Sequence, residues 1–303
     1  MTKRFDLVIL GGGAAAFSAA IRADRNGAKA VMIDGGTIGG TCVNVGCVPS
    51  KRLLAVGDQF FRVANHRFPG LRLEGGWSSE FREVIRAKDQ IVQSLRKSKY
   101  QDVLASLKGV EYVRGLAAFV SPHEVKVGKE NYEGDKFVIA TGSSPTVPSI
   151  PGIEEVEYLT NVEALSLEDR PDSMIVLGGR ALGLEFAQMY QHLGTEVTVL
   201  QRSSRILPDE EPEISTFLQK YLEEDGIMIK TGVEVLSAVQ TKGKKVLTIR
   251  EGGIETVRYD LLTLSTSFTH PVIPPGAAVP YTFTFAGVVV QSGSSAWFWE
   301  TYA

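Results

Sequence analysis

The chain has 303 residues and a formal net charge of −3, from 32 Lys and Arg against 35 Asp and Glu. Hydrophobic residues make up 44% of it and charged residues 22%, which is typical of a globular protein and excludes a disordered chain. The mild acidity argues against a nucleic-acid-binding surface, and no apolar run approaches the ~20 residues of a membrane span. The length predicts about two domains.

The first predicted unit runs from Phe5 to Asp34 as a strand, a glycine turn, a helix and a second strand. Its turn has small residues at Gly11, Gly13 and Ala16. They allow a tight turn, the approach of a pyrophosphate to the backbone, and close packing of the helix on the strand. Asp34 stands where an acid binds ribose hydroxyls. The pattern therefore predicts a dinucleotide site suited to FAD, the alternative being a glycine turn that binds nothing.

Cys42 and Cys47 are the only cysteines, and they follow this unit in the segment GGTCVNVGCVPSK. A structural zinc site takes four N or S ligands, and none of the four histidines is near in sequence, so this class of site is disfavoured. A disulfide beside a flavin accepts two electrons and opens to a reactive thiol pair. Lys51 supplies a nearby cation, either for a thiolate or for the flavin. Two inert buried cysteines are the alternative, and so low a cysteine count predicts a cytoplasmic protein.

A second unit, Ser173 to Arg202, repeats the first, with Gly178 placed 167 residues after Gly11. Its turn holds Gly178 and Gly183, but Arg180 replaces the central glycine. That side chain must point away from a pyrophosphate or contact it. The pattern predicts a second dinucleotide site, and His192 on its helix is expected at the surface.

The end of the second unit indicates which nicotinamide nucleotide binds. Gln201 stands at the position equivalent to Asp34, with Arg202 beside it and Arg205 close by. An acid here would repel a 2′-phosphate, whereas an arginine pairs with one bidentately. The sequence therefore favours NADPH over NADH, and the alternative is that these arginines form a solvated edge.

GGTCVNVGCVPSK resembles the redox-active disulfide motif of the class I pyridine nucleotide–disulfide oxidoreductases, over about residues 3 to 263. The resemblance implies that Cys42 meets the substrate, that Cys47 lies next to the flavin, and that Glu185 pairs with Lys51. It also implies a set of cofactor-binding positions beyond those of the glycine turns: Gly40, Thr41, Lys51 and the hinge Ala140, Thr141 and Gly142.

Within that family the chain is most similar to mercuric reductases, which implies electron flow from NADPH through FAD to the cysteine pair. Thiolates are soft ligands, so Cys42 and Cys47 would bind Hg(II), which leaves as Hg(0). The resemblance implies a homodimer acting on a small-molecule or metal-ion substrate. The alternatives are an enzyme similar to dihydrolipoamide dehydrogenase or glutathione reductase, and an inactive fragment that binds nucleotide only.

The predicted fold is α/β, with two doubly wound Rossmann-type domains. We expect an FAD domain at 1–148, with the redox disulfide and an antiparallel β insert from Val110 to Val138, and an NAD(P)H domain at 149–263. The last 40 residues, 264–303, contain no Lys or Arg and one acid, Glu300. They form an atypical tail, read either as an out-of-frame extension or as a hydrophobic segment for a partner. The family's dimerisation domain has no counterpart in the sequence, which would leave its apolar contact surface open.

Overall fold

The computed structural model describes residues 2–65, 80–241, 244–252, 254–259, 263–265 and 267–269. The chain divides into two units, Met1–Pro271 and Val272–Ala303, and every described residue belongs to the first. Apart from residues 264–265 and 267–269, the atypical tail lies outside the described residues. Within the described ranges, none of the helices has the length and apolar character needed to cross a membrane.

The N-terminal half of the chain begins with a β1–α1–β2 unit, which is followed by a run of helices and then by a run of strands. Its strands are β1 Thr2–Leu10, β2 Ala30–Asp34, β3 Val110–Arg114, β4 Ala117–Ser121, β5 Glu124–Val127, β6 Glu130–Ile139 and β7 Ser144–Thr146. Its helices are α1 Ala14–Arg25, α2 Gly40–Val45, α3 Cys47–Ala64, α4 Phe81–Arg96 and α5 Asp102–Ser106, with a π-helical turn at Lys97–Gln101 between the last two.

The rest of the described chain begins with a 3₁₀ turn at Ile153–Glu155. Its helices are α6 Asn161–Ala164, α7 Ala181–His192 and α8 Pro212–Glu224. Its strands are β8 Ser173–Leu177, β9 Glu196–Leu200, β10 Met228–Lys230, β11 Val233–Thr241, β12 Lys244–Glu251, β13 Ile254–Tyr259, β14 Thr263–Ser265 and β15 Ser267–Thr269.

The first sheet has the strand order β3-β2-β1-β6-β5-β4. Strands β1, β2, β3 and β6 are mutually parallel, and only β4 and β5 add antiparallel pairs. The antiparallel insert is thus smaller than the predicted stretch from Val110 to Val138. Helices α4 and α5 precede β3 and supply the crossover that a parallel strand needs, so β3 joins the parallel core of the sheet.

The second sheet, with order β10-β9-β8-β14, is entirely parallel, so the α/β fold with two Rossmann-type units is confirmed. The predicted repeat is visible in detail. The Gly11 amide donates to the Ile33 carbonyl, and the Gly178 amide donates to the Leu200 carbonyl, both at 2.8 Å. A three-stranded antiparallel sheet, β11-β12-β13, and the pair β15-β7 complete the described strands. The domain boundary at 148/149 stays a prediction.

Helix α7 packs between the second sheet and α3, so nearly all its sides are buried. The prediction that His192 lies at the surface is therefore wrong, since this residue is 5% exposed. Its Nε2 lies 2.9 Å from Asp225 Oδ2, and its ring stacks on Phe61 of α3 with centroids 4.1 Å apart. The polarity of histidine suggested exposure, but the half-buried Asp225 carboxylate and an aromatic ring satisfy it here.

We predict that Tyr190→Phe lowers the free energy of unfolding by about 1–2 kcal/mol. Tyr190 is 1% exposed and its hydroxyl donates to the Ala164 carbonyl, which the variant leaves buried without that donor. Burial also raises the pKa of Tyr190 above its ordinary value. The measurement is urea denaturation, with Tyr221→Phe as the matched control. Tyr221 is 61% exposed on α8, so its variant should change stability by less than about 0.5 kcal/mol. Equal effects of the two variants would contradict the prediction.

Candidate functional site

The first glycine turn is built on a close backbone approach. Gly11 has φ +126°, and a Cβ there would lie 2.1 Å from the Ala140 carbonyl oxygen. The segment predicted as a hinge, Ala140 to Gly142, therefore begins directly against the turn after β1. The Ala140 amide donates to the Leu10 carbonyl at 2.7 Å, which fixes this contact. Only glycine combines this φ with this space.

Gly13 is the N-cap of α1, with φ −93° and ψ −171° and no side-chain cap within the described part of the chain. The backbone amides of the first helical turn therefore face outward as donors, and the helix dipole favours an anion there. Gly40 packs on Gly13, because a Cβ on Gly40 would lie 2.6 Å from Gly13 Cα. The amino end of α2, with Gly40 and then Thr41, thus lies at the end of α1 where the predicted pyrophosphate would bind.

Asp34 ends β2 beside this turn. Its Oδ1 accepts from the Gly36 amide at 3.1 Å, whereas its buried Oδ2 has no hydrogen-bond partner among the described residues. A Cβ on Gly12 would lie 2.2 Å from that Oδ2, so the carboxylate lies against the glycine turn. A buried acceptor without a donor is costly in an empty protein and is satisfied by a ligand hydroxyl. This orphaned oxygen fits the ribose of a bound dinucleotide.

A groove of about 480 Å³ opens beside Asp34, at the carboxyl ends of β2 and β3. Its lining includes Gly36, Thr37, Ile38, Tyr112 and Arg114. Tyr112 and Arg114 were not predicted as site residues, although β3 pairs in parallel with β2, with Arg114 opposite Asp34. The signal that would have found them is the rule that ligands bind at the carboxyl ends of parallel strands. Burial, with the charge of Asp34 next, raises the pKa of Tyr112.

The cysteine pair lies where α2 ends and α3 begins. Cys42 is half-buried on α2, and Cys47 is exposed as the first residue of α3. Gly46 joins the two helices closely, since a Cβ there would lie 2.9 Å from the Thr41 carbonyl oxygen and 3.3 Å from Cys42 Cα. Cys47 therefore lies at the amino end of an 18-residue helix, which is the positive end of the helix dipole.

Two asparagines that the sequence analysis did not single out hold the cysteine segment. Asn44, between the cysteines, donates to the Gly40 carbonyl at 2.8 Å and accepts from Arg96 Nε of α4 at 2.6 Å. Asn161 of α6 donates to the Val45 carbonyl at 2.8 Å. These hydrogen bonds hold α2 from two sides, so they fix the position of the segment that carries the cysteines.

Lys51 and Glu185 form an ion pair, as the resemblance implied. Lys51 lies four residues after Cys47 and so on the same face of α3. Glu185 lies on α7, in the second repeat. The pair therefore connects α3, which begins at Cys47, with α7, which follows the second glycine turn.

The second turn follows the first in backbone but differs in side chains. Gly178 has φ +108°, and the α7 N-cap is Arg180, with φ −93° and ψ 174°. Gln201 is 6% exposed, and its Oε1 accepts from the Gly179 amide at 2.7 Å. This oxygen is therefore already hydrogen-bonded to the glycine turn, whereas Oδ2 of Asp34 has no partner among the described residues.

The arginines after β9 differ in environment. Arg202 is exposed. Arg205 is half-buried, and its Nη2 donates to the Pro208 carbonyl at 2.8 Å, while its buried Nη1 has no acceptor in the described chain. A buried cationic donor without a partner fits an anionic ligand such as a phosphate. No cluster of three or more His, Cys, Asp or Glu that would hold a metal ion occurs among the described residues.

The sequence model of the pyridine nucleotide-disulphide oxidoreductase family matches residues 5–269, and the chain belongs to this family. It is 41% identical over 253 residues to a mercuric reductase of Staphylococcus aureus, covering 84% of this chain and 46% of the relative. It is also 41% identical to a mercuric reductase of Streptomyces lividans over 270 residues, covering 86% of this chain and 56% of the relative.

Other relatives have different names. A dihydrolipoamide dehydrogenase of Chaetomium thermophilum is 38% identical over 275 residues, covering 86% of this chain and 53% of the relative. The HOCl-induced flavoprotein disulfide reductase RclA of Escherichia coli superposes with a TM-score of 0.75 at 26% identity, covering 88% of this chain and 57% of that structure. The chain thus spans about half the length of the curated relatives it matches. Family membership implies a flavin and a pyridine nucleotide.

We predict that Gly11→Ala lowers the free energy of unfolding by about 3 kcal/mol, because it combines a positive φ with a clash against Ala140. Gly128→Ala is the matched control. Gly128 has φ +59° and nothing within 4 Å of a new Cβ, so its variant measures backbone strain alone, about 1 kcal/mol. Urea denaturation of both variants gives the difference. A difference near zero would show that the contact with Ala140 contributes nothing.

Proposed function

We propose that this chain carries the flavin, NADPH and dithiol sites of an oxidoreductase that reduces Hg(II) to Hg(0) through Cys42 and Cys47. The observation that carries the proposal is the Lys51–Glu185 pair, which joins the cysteine helix to the helix of the second glycine turn. The pair supports a function in which the thiol site and the second nucleotide site act together, because it brings the helices that carry them into contact. The mercuric reductases at 41% identity support the choice of metal ion.

The residues fit FAD at the first turn. The first-turn amides of α1, with Gly13 and Gly40 packed together, would hold the pyrophosphate, and Asp34 Oδ2 would accept from a ribose hydroxyl. The groove lined by Tyr112 and Arg114 has room for the adenine end. Bound FAD would supply two-electron transfer between the nicotinamide and the cysteine pair.

The protein's own side chains would bind and orient the substrate next to that group. Cys47 would lie as a thiolate at the amino end of α3, with Lys51 as the cation on the same helix face. Cys42 would meet the substrate, and both sulfurs would ligate Hg(II) as soft donors. In balance, NADPH and Hg(II) give NADP⁺, Hg(0) and one proton.

NADPH is the proposed reductant, with Arg202 and Arg205 as the partners of its 2′-phosphate. The unpartnered Arg205 Nη1 supports this proposal. Gln201 brings no negative charge that would repel the phosphate, although its amide oxygen is already used by the glycine turn. The proposed assembly is the homodimer that is general in the family, in the cytoplasm.

A visible absorption spectrum after incubation with FAD and desalting, before and after anaerobic NADPH, tests the flavin and thiol sites. We expect a yellow protein whose long-wavelength absorbance grows on reduction, as a thiolate comes to lie beside the flavin. Cys47→Ser should abolish that band and Cys42→Ser should keep it. A protein that stays colourless would overturn the flavin site, and a band retained in Cys47→Ser would reverse the cysteine roles.

Substrate assays distinguish mercury from a dithiol. The 38% identical dihydrolipoamide dehydrogenase makes turnover of dihydrolipoamide the second candidate. We expect Hg(II)-dependent oxidation of NADPH at least about tenfold faster than with NADH, since one phosphate–arginine pairing contributes ~1.4 kcal/mol or more. Turnover of dihydrolipoamide with NAD⁺ but not of Hg(II) would contradict the proposal.

A further inference from the structure

The residue that departs from the glycine pattern of the second turn is Arg180. It occupies the N-cap of α7, as Gly13 occupies the N-cap of α1, and the two have nearly the same backbone: φ −93° with ψ 174° against φ −93° with ψ −171°. Both are extended conformations that any residue adopts. The arginine is therefore unstrained, and the difference between the two turns is a guanidinium at a position where the first turn has no side chain.

The loop after β9 is tied to this turn. The Leu207 amide donates to the Gly179 carbonyl at 2.8 Å, and Ser215 Oγ donates to the Leu207 carbonyl at 3.2 Å. Leu207 has φ +42°, the positive φ of a non-glycine residue, which persists only where surrounding contacts enforce it. The loop is thus held against the amino end of α7 rather than extending from it.

Two arginine side chains contact neighbouring residues of that loop. Arg180 pairs with the carboxylate of Asp209, and Arg205 donates to the carbonyl of Pro208. The Arg180–Asp209 pair is about half exposed, with side chains 46% and 56% accessible, so solvent screens it and it is readily exchanged. The first repeat has a glycine in place of Arg180, so this arrangement is specific to the second turn.

We propose that Arg180 binds the pyrophosphate of the nicotinamide dinucleotide, and that Asp209 holds its guanidinium until the nucleotide displaces it. The inference rests on the proposed function only in requiring that a nicotinamide nucleotide binds at this turn. The amino end of α7 is where a Rossmann helix receives a pyrophosphate. A planar guanidinium offers two parallel donors to phosphate oxygens, a better partner than one half-exposed carboxylate.

The two arginines would recognise different parts of the nucleotide. Arg180 would recognise the pyrophosphate, which NADPH, NADH and ADP-ribose all contain. Arg205 would recognise the 2′-phosphate, which NADPH and adenosine 2′-monophosphate contain. Asp209 would compete for Arg180 with every ligand that carries a pyrophosphate, so its negative charge should lower the affinity for NADPH, NADH and ADP-ribose.

Isothermal titration calorimetry of the full chain with these four ligands tests the proposal. Arg180→Gly restores the glycine pattern, and Arg180→Gln is a second variant that keeps a long polar side chain. We expect either change to weaken NADPH, NADH and ADP-ribose by about tenfold each, and adenosine 2′-monophosphate by less than about twofold. Asp209→Asn should strengthen the three pyrophosphate ligands by about threefold.

Two further variants test whether the effect depends on the position of the arginine or only on the loss of a positive charge. Arg205→Gln should weaken NADPH and adenosine 2′-monophosphate by about tenfold and leave NADH within about twofold. Arg86→Ala removes another exposed, ion-paired arginine, which contacts Glu83 on α4, and should leave every affinity unchanged. Circular dichroism confirms that each variant is folded.

Unchanged or tighter binding of pyrophosphate ligands in both Arg180 variants would overturn the proposal, since the guanidinium would then contribute nothing or obstruct the site. Equal weakening of adenosine 2′-monophosphate would also overturn it, because the effect would then be a general collapse of the loop. A chain that binds NADPH as expected but does not reduce Hg(II) would refute the proposed function and leave the role of Arg180 intact.

Discussion

The close packing of α3 against α7 is the constraint on which the site depends. Gly57 allows it, because a Cβ there would lie 3.1 Å from His192 Cβ and 3.3 Å from the Met189 carbonyl oxygen. The Lys51–Glu185 pair lies toward the amino ends of both helices, and Phe61 stacks on His192 toward the other. A helix that begins with a cysteine is thereby fixed to a helix that begins at a glycine turn.

The two repeats use the same backbone for different chemistry. Their helices, turn hydrogen bonds and strand directions correspond, but Asp34 has an orphaned carboxylate oxygen, whereas the oxygen of Gln201 is bound to Gly179. Gly13 carries no side chain at one helix end, whereas Arg180 places a guanidinium at the other. Because a parallel sheet and its first helix set only the position of the anion site, substitutions at a few positions can adapt each copy to its own nucleotide.

Local patterns predicted much of this arrangement. The repeat and both glycine turns could be predicted, because glycine and strand–helix periodicity act over short stretches of chain. The Lys51–Glu185 contact came from resemblance rather than from spacing. His192 was misplaced because its partners, Phe61 and Asp225, are distant in sequence. Tyr112 and Arg114 were missed because only strand pairing brings them beside Asp34.

The sequence by itself determined the family, the α/β class and the positions of two glycine turns and one cysteine pair, since these depend on residue types at fixed local spacing. Tertiary structure alone decided which side chains meet there. Among the described residues it left Asp34 Oδ2 and Arg205 Nη1 without partners, and it turned Arg180 toward Asp209. The physical reason is that burial and pairing depend on elements brought together from distant parts of the chain, which no local pattern encodes.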